Sequence, residues 1–141
     1  IVFGDWSSDV CSSDLNFVVT TSINWEKYTQ KMKDLYARTT LFFPLMYVEF
    51  TKNSARNSII ESWSAYSKLL AMLIAMMNLK YRPEKFDFQS RYIERDYPAE
   101  EATLMQSLCM SKSMTEMRTN AQYVEKRFME LEEELRVSYG A

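Results

Sequence analysis

The chain has 141 residues, the length of one ordinary domain, and 47% of them are apolar, enough to fill a sizeable core. The net charge is −2 with no strongly basic half, which leaves no electrostatic footprint for nucleic acid. Histidine is absent, which removes the commonest general base and metal ligand, and two glycines and three prolines are too few for the turns of a β-rich fold.

The opening segment stands apart. Asp5–Leu15 reads DWSSDVCSSDL, which resembles the translation of a short-read sequencing adapter. Residues 1–15 are therefore expected to be an artefactual leader, set aside in fold reasoning like other scars. Without Asp5, Asp9 and Asp14 the net charge moves from −2 to +1. The domain is then residues 16–141, expected to be the C-terminal part of a longer protein. Cys11 and Cys109 form no CxxC pair and no disulfide framework, which fits a reducing, cytoplasmic setting. No basic region followed by an apolar stretch opens the chain, so no signal peptide is expected.

Asn16–Thr21 (NFVVTT) is a short β-branched run, a strand stub or a linker. Helical periodicity begins after it. Trp25, Tyr28, Met32, Leu35, Thr39, Phe42 and Met46 recur at alternating spacings of three and four, one face of a helix. Ser22 or Asn24 can cap its start. Pro44 is expected to kink this helix or end it near Phe43. Lys52–Ser58 is polar and rich in capping residues, so it reads as a connection.

A second helix is expected over roughly 55–80. Its stripe is Ile59, Trp63, Tyr66, Leu70, Leu73 and Met77, and Ile60, Leu69, Ile74 and Met76 widen it. That makes it the central, most buried helix. Its most apolar run, Leu69–Met77, is about half the roughly 20 residues of a bilayer span, so it reads as buried and no membrane partner is expected. Pro83 stops this helix. Glu84–Asp96, aromatic and charged, reads as one or two helical turns. Pro98 suits the first turn of a third long helix over roughly 98–110. Ser113 and Glu116 form a capping box. The last helix then runs to about Ser138 on the stripe Met114, Met117, Ala121, Val124, Phe128, Leu131 and Leu135. The expected fold is all-α, an antiparallel bundle of about four long helices with sequence neighbours side by side.

Chemistry is sparse. The only two glycines, Gly4 and Gly140, lie too far apart for GxxxxGK[ST] and are too few for GxGxxG. Cys109, between Leu108 and Met110, reads as a small buried hydrophobe. Glu130 and Glu134 share a helix face but lack the further ligands a metal pair needs, so they read as a solvated acidic face. No catalytic or metal site is expected. The densest mixture of cations and aromatics spans Lys80–Asp96. Arginine forks and rings there could grip an anionic or aromatic ligand. Equally, the aromatics could cover the bundle end while the charges reach water.

Met77-Asn78-Leu79-Lys80-Tyr81-Arg82-Pro83-Glu84-Lys85 resembles a stretch in the helical region that follows the catalytic domain in nucleotidyltransferase-like proteins of the polymerase-β superfamily. The likeness in layout covers about Glu26–Glu134, and its specific part is some twenty residues. It implies a non-catalytic substrate-side or dimerisation domain, inactive as it stands. Its partner would be a missing N-terminal catalytic domain, or further copies of itself. It also places Tyr81, Arg82, Lys85, Arg91 and Tyr92 nearest the substrate cleft. The family's Gly-Ser turn and paired Mg²⁺-binding aspartates are absent here, so Mg²⁺ and nucleotide would belong to that missing domain and no cofactor is expected in this chain. The alternative, from another class, is a helical protein–protein interaction module with no enzymatic role. A small regulatory ligand-binding bundle is a third reading.

Overall fold

The computed structural model describes residues 22–140. The adapter-like segment and the run 16–21 lie outside the described residues. Four long helices and two short ones follow: α1 (Trp25–Ala55), α2 (Ile59–Tyr81), a 3-10 segment (Pro83–Phe88), α3 (Ile93–Asp96), α4 (Ala99–Cys109) and α5 (Met114–Tyr139). Among the described residues no strand occurs, so the fold is all-α.

Two compact units divide the chain, with the boundary between Gln30 and Lys31. In the described part of the first, Asn24 starts α1, its Oδ1 accepting from the Lys27 amide at 3.0 Å. The second unit, Lys31–Ala141, holds the core. Within it, α1 and α5 run antiparallel, because Tyr36 Oη donates to the Glu132 carbonyl and Arg118 donates to the Ser54 carbonyl near the other end. α4 runs antiparallel to α2, with Tyr66 Oη donating to the Leu108 carbonyl and Tyr81 Oη to Glu101.

The most extensive packing is between α2 and α5, which are parallel and not sequence neighbours. Leu69, Leu73, Met76 and Met77 of α2 are fully buried, as are Val124 and Leu131 of α5. α2 is thus the core helix, as its composition predicts. It is also long and apolar enough to cross a bilayer by length and composition, although 44% of its most apolar window is buried inside the fold.

Three local expectations need correcting. Of the two outcomes expected at Pro44, a kink or an end near Phe43, the end does not occur; the helix continues to Ala55. Pro44 itself is exposed, on the outer side of α1. The connection after α1 is also shorter than expected, residues 56–58. Asn57 takes the left-handed conformation (φ 55°) that ends the helix. The Asn57 amide donates to Ser54 O and the Ser58 amide to Asn53 O, the paired pattern of a Schellman stop. The Arg118 guanidinium closes this end by reaching Ser54 O and, at 2.9 Å, Asn57 Oδ1.

The third correction concerns the buried face of α1. It carries Tyr36 and Phe43, each one position on from the expected Leu35 and Phe42, with Phe50 further along and Thr39 of the expected stripe also buried, while Phe42 is exposed. Phe43 stacks on Phe128 with ring centroids 3.7 Å apart. That pairing sets the rotation of α1. The stripe of α5 is as expected, with Met117, Ala121, Val124, Phe128, Leu131 and Leu135 all buried. Ser113 accepts from the Glu116 amide, and the Glu116 carboxylate accepts from the Lys112 amide.

Candidate functional site

The segment rich in cations and aromatics folds into an elbow at the end of α2. Pro83 lacks an amide hydrogen and cannot continue the helix, so the chain turns back over it. Asn78 and Arg82, four apart, lie on one face of the helix end. Asn78 Nδ2 donates to the carbonyls of Phe86 and Gln89, at 3.4 and 3.0 Å. Its Oδ1 accepts from Arg82 Nε at 2.8 Å and from Tyr97 Oη. Arg82 is 1% exposed. Its guanidinium donates to Gln89 O at 2.6 Å, to Arg91 O, and to Asp96 Oδ2 at 3.3 Å. Gln89 (φ 54°) and Tyr92 (φ 61°) both hold positive φ, a conformation side-chain-bearing residues seldom adopt. The two donors converging on the Gln89 carbonyl hold it there.

Asp96 gathers three cations: Arg82, Lys85 at 3.2 Å and Arg95 at 2.8 Å. The hydrogen bond from Arg95 foremost, then those from Lys85 and Arg82, hold its carboxyl far below the usual carboxylate range against the opposing effect of burial. The stability this contributes is fully present above the unfolded pKa, about 4, and is lost as pH falls below it toward the folded value. Asp96→Asn is expected to destabilise the fold most above pH ~4. The gap from the parent chain should narrow in acid, read by urea unfolding at a series of pH values. A gap independent of pH would contradict this role.

The five residues placed nearest a cleft therefore have different fates. Arg82 is buried, and its donors are engaged within the chain. Tyr81 Oη donates to Glu101 at 2.9 Å and accepts from Arg127 at 3.1 Å, and burial pushes its pKa up. Lys85 is tied to Asp96. Arg91 and Tyr92 are exposed at the elbow tip, where Arg95 lies 4.5 Å over the Tyr92 ring. The elbow builds structure, and its charges mostly answer one another. Glu130 and Glu134 pair with Arg127 and Lys80. Among the described residues no group of three or more acids and cysteines comes together in a way that could hold a metal.

A different surface is open. A groove of about 590 Å³ runs between α1, α2 and the elbow. Its floor is Leu35, Ala71, Ile74, Ala75 and Phe86, and Lys31, Asp34, Arg38 and Asp87 stand at its edge. A second hollow of about 530 Å³ lies where α1 ends and α2 begins, bordered by Glu49, Lys52, Ile60 and Ser64. On the other flank of α2, Trp63, Leu70, Ile74 and Cys109 line a hollow of about 250 Å³ toward α4.

No protein-family model matches the chain, and no curated protein and no solved structure matches it either.

This apolar surface was not separated from the core by sequence. Ile59, Ile60 and Trp63 were expected to be buried; they are 66%, 85% and 57% exposed. Cys109, expected to be buried, is exposed at the last residue of α4, at the hollow between α2 and α4 rather than in the core. The signal was nevertheless present. α2 has more apolar positions than one core-facing stripe requires. A second ladder, Ile60, Ser64, Ser67, Ala71 and Ile74, alternates four and three beside the first.

Proposed function

We propose that this chain is a non-catalytic helical interaction module that receives a helix on the exposed face of α2. The observation that carries the reading is the exposure of Ile60 and Trp63 along the face of α2 on which Ala71 and Ile74 line both the groove and the hollow toward α4. Apolar side chains grouped along a groove between helices mark a surface that gains by being covered. A helix laid there meets residues of small volume, which permit close approach.

The test is fluorescence anisotropy of a labelled synthetic amphipathic helix with leucines at alternating spacings of three and four. Saturable binding is expected. Ile60→Glu with Ala71→Glu should weaken it by about tenfold or more, because each buries a charge without a partner. Both sites are exposed, so the fold is expected to survive, as circular dichroism would confirm. Absence of binding to the parent chain would overturn the proposal.

A second reading is the substrate-side helical domain of a nucleotidyltransferase-like parent. The stretch Met77–Lys85 favours it. Under this reading the same apolar face meets a catalytic part, and Mg²⁺ and nucleotide bind there rather than here. Sequencing the source nucleic acid upstream of the Asn16 codon tests it. A frame encoding a Gly-Ser turn and paired aspartates supports it, and an unrelated frame removes it.

A further inference from the structure

The open face of α2 is its own complement. Ile60, Ser64, Ser67, Ala71 and Ile74 read large, small, small, small, large in both directions about Ser67. An isologous interface needs a patch that matches itself under a two-fold rotation. Turned antiparallel over itself, this stripe sets Ile60 against Ile74 at each end. Small residues meet at the centre, where two helix backbones can come close.

The wall on α1 follows the same symmetry. Phe42 and Leu45 are exposed and fall on the helical ladder that joins Arg38, at the groove, to Glu49, at the second hollow. The elbow end carries Lys31 and Arg38 with Asp34 and Asp87. The far end carries Lys52 and Arg56 with Glu49 and Glu61, of which Arg56 and Glu61 pair within the chain. Each end is balanced in sign, so antiparallel rotation stacks no net charge on a like one. Between Ser62 and Leu79 the helix holds a single charge, Lys68, exposed on a flexible stem. Nothing on the floor selects a strongly charged foreign helix.

Resting on the interaction reading above, we propose that the occupant of this face is α2 of a second copy of this chain, packed antiparallel across a two-fold axis near Ser67. The full chain should then sediment as a dimer that dissociates on dilution, with Ala71→Glu raising the dissociation constant by about 100-fold. In a Cys11→Ser, Cys109→Ser background, Ser67→Cys should form an intermolecular disulfide under mild oxidation. Gln122→Cys, exposed on α5, should not.

Circular dichroism confirms that each variant is folded. A chain monomeric at every concentration that still binds the synthetic helix overturns the second copy and leaves the interaction module standing. A monomer that binds no helix overturns both. A dimer indifferent to Ala71→Glu, or one cross-linked equally through Gln122→Cys, uses another face and overturns the proposal.

Discussion

Arg82→Met is expected to lower the unfolding free energy by about 3–5 kcal/mol, the usual cost of removing one partner from a buried ion pair. Methionine nearly fills the volume but donates nothing. Asp96, only 11% exposed, would lose its buried partner. The Arg91 carbonyl would lose its guanidinium donor, and Gln89 O would keep only Asn78. Each abandoned buried acceptor adds a desolvation cost. Arg82→Lys should not restore stability, because one ammonium cannot span Asn78, Gln89, Arg91 and Asp96 at once. Urea unfolding measures the loss, and faster amide exchange over residues 86–92 should accompany it. A loss under about 1 kcal/mol would mean that the elbow does not depend on this network.

Phe128→Ala should cost a comparable amount, about 3–5 kcal/mol. Phe128 is 1% exposed and lies nearly parallel to Phe43, at 7° and 3.7 Å between centroids. The substitution leaves a cavity between α1 and α5 that neighbouring helices cannot fill without moving. A double-mutant cycle with Phe43→Ala should give a coupling of about 0.5–1.5 kcal/mol for the ring pair. Tyr123→Ala on the same helix, at an exposed position, should cost no more than about 0.5 kcal/mol. Equal losses at 123 and 128 would contradict the assigned core face.

Much of the architecture follows from local patterns. Helix class and number are legible because glycine and proline are scarce and apolar residues recur every three or four positions. Asn24 and Ser113 are capping residues by chemistry, and both cap. The stripe of α5 is unambiguous because acids and lysines fill its other faces, so one rotation alone buries no charge. α1 offers Phe42 and Phe43 side by side, and periodicity does not choose between them. The contact with Phe128 does.

The site was less legible for a related reason. Sequence marks Tyr81, Arg82, Lys85, Arg91 and Tyr92 as chemically rich, but whether a cation is free or engaged depends on which carbonyls come within its reach. In this fold those carbonyls come from the elbow itself, folded back after Pro83. Likewise, an apolar helix such as α2 does not reveal how many of its faces its own chain covers.

The sequence by itself determined an all-α chain with a buried second helix and no histidine chemistry, because composition and period are local properties. Only the tertiary structure decided which face of α1 is core, that Arg82 is a buried strut, and that one apolar face of α2 stays open. Those depend on contacts between residues far apart in the chain, which no local pattern encodes.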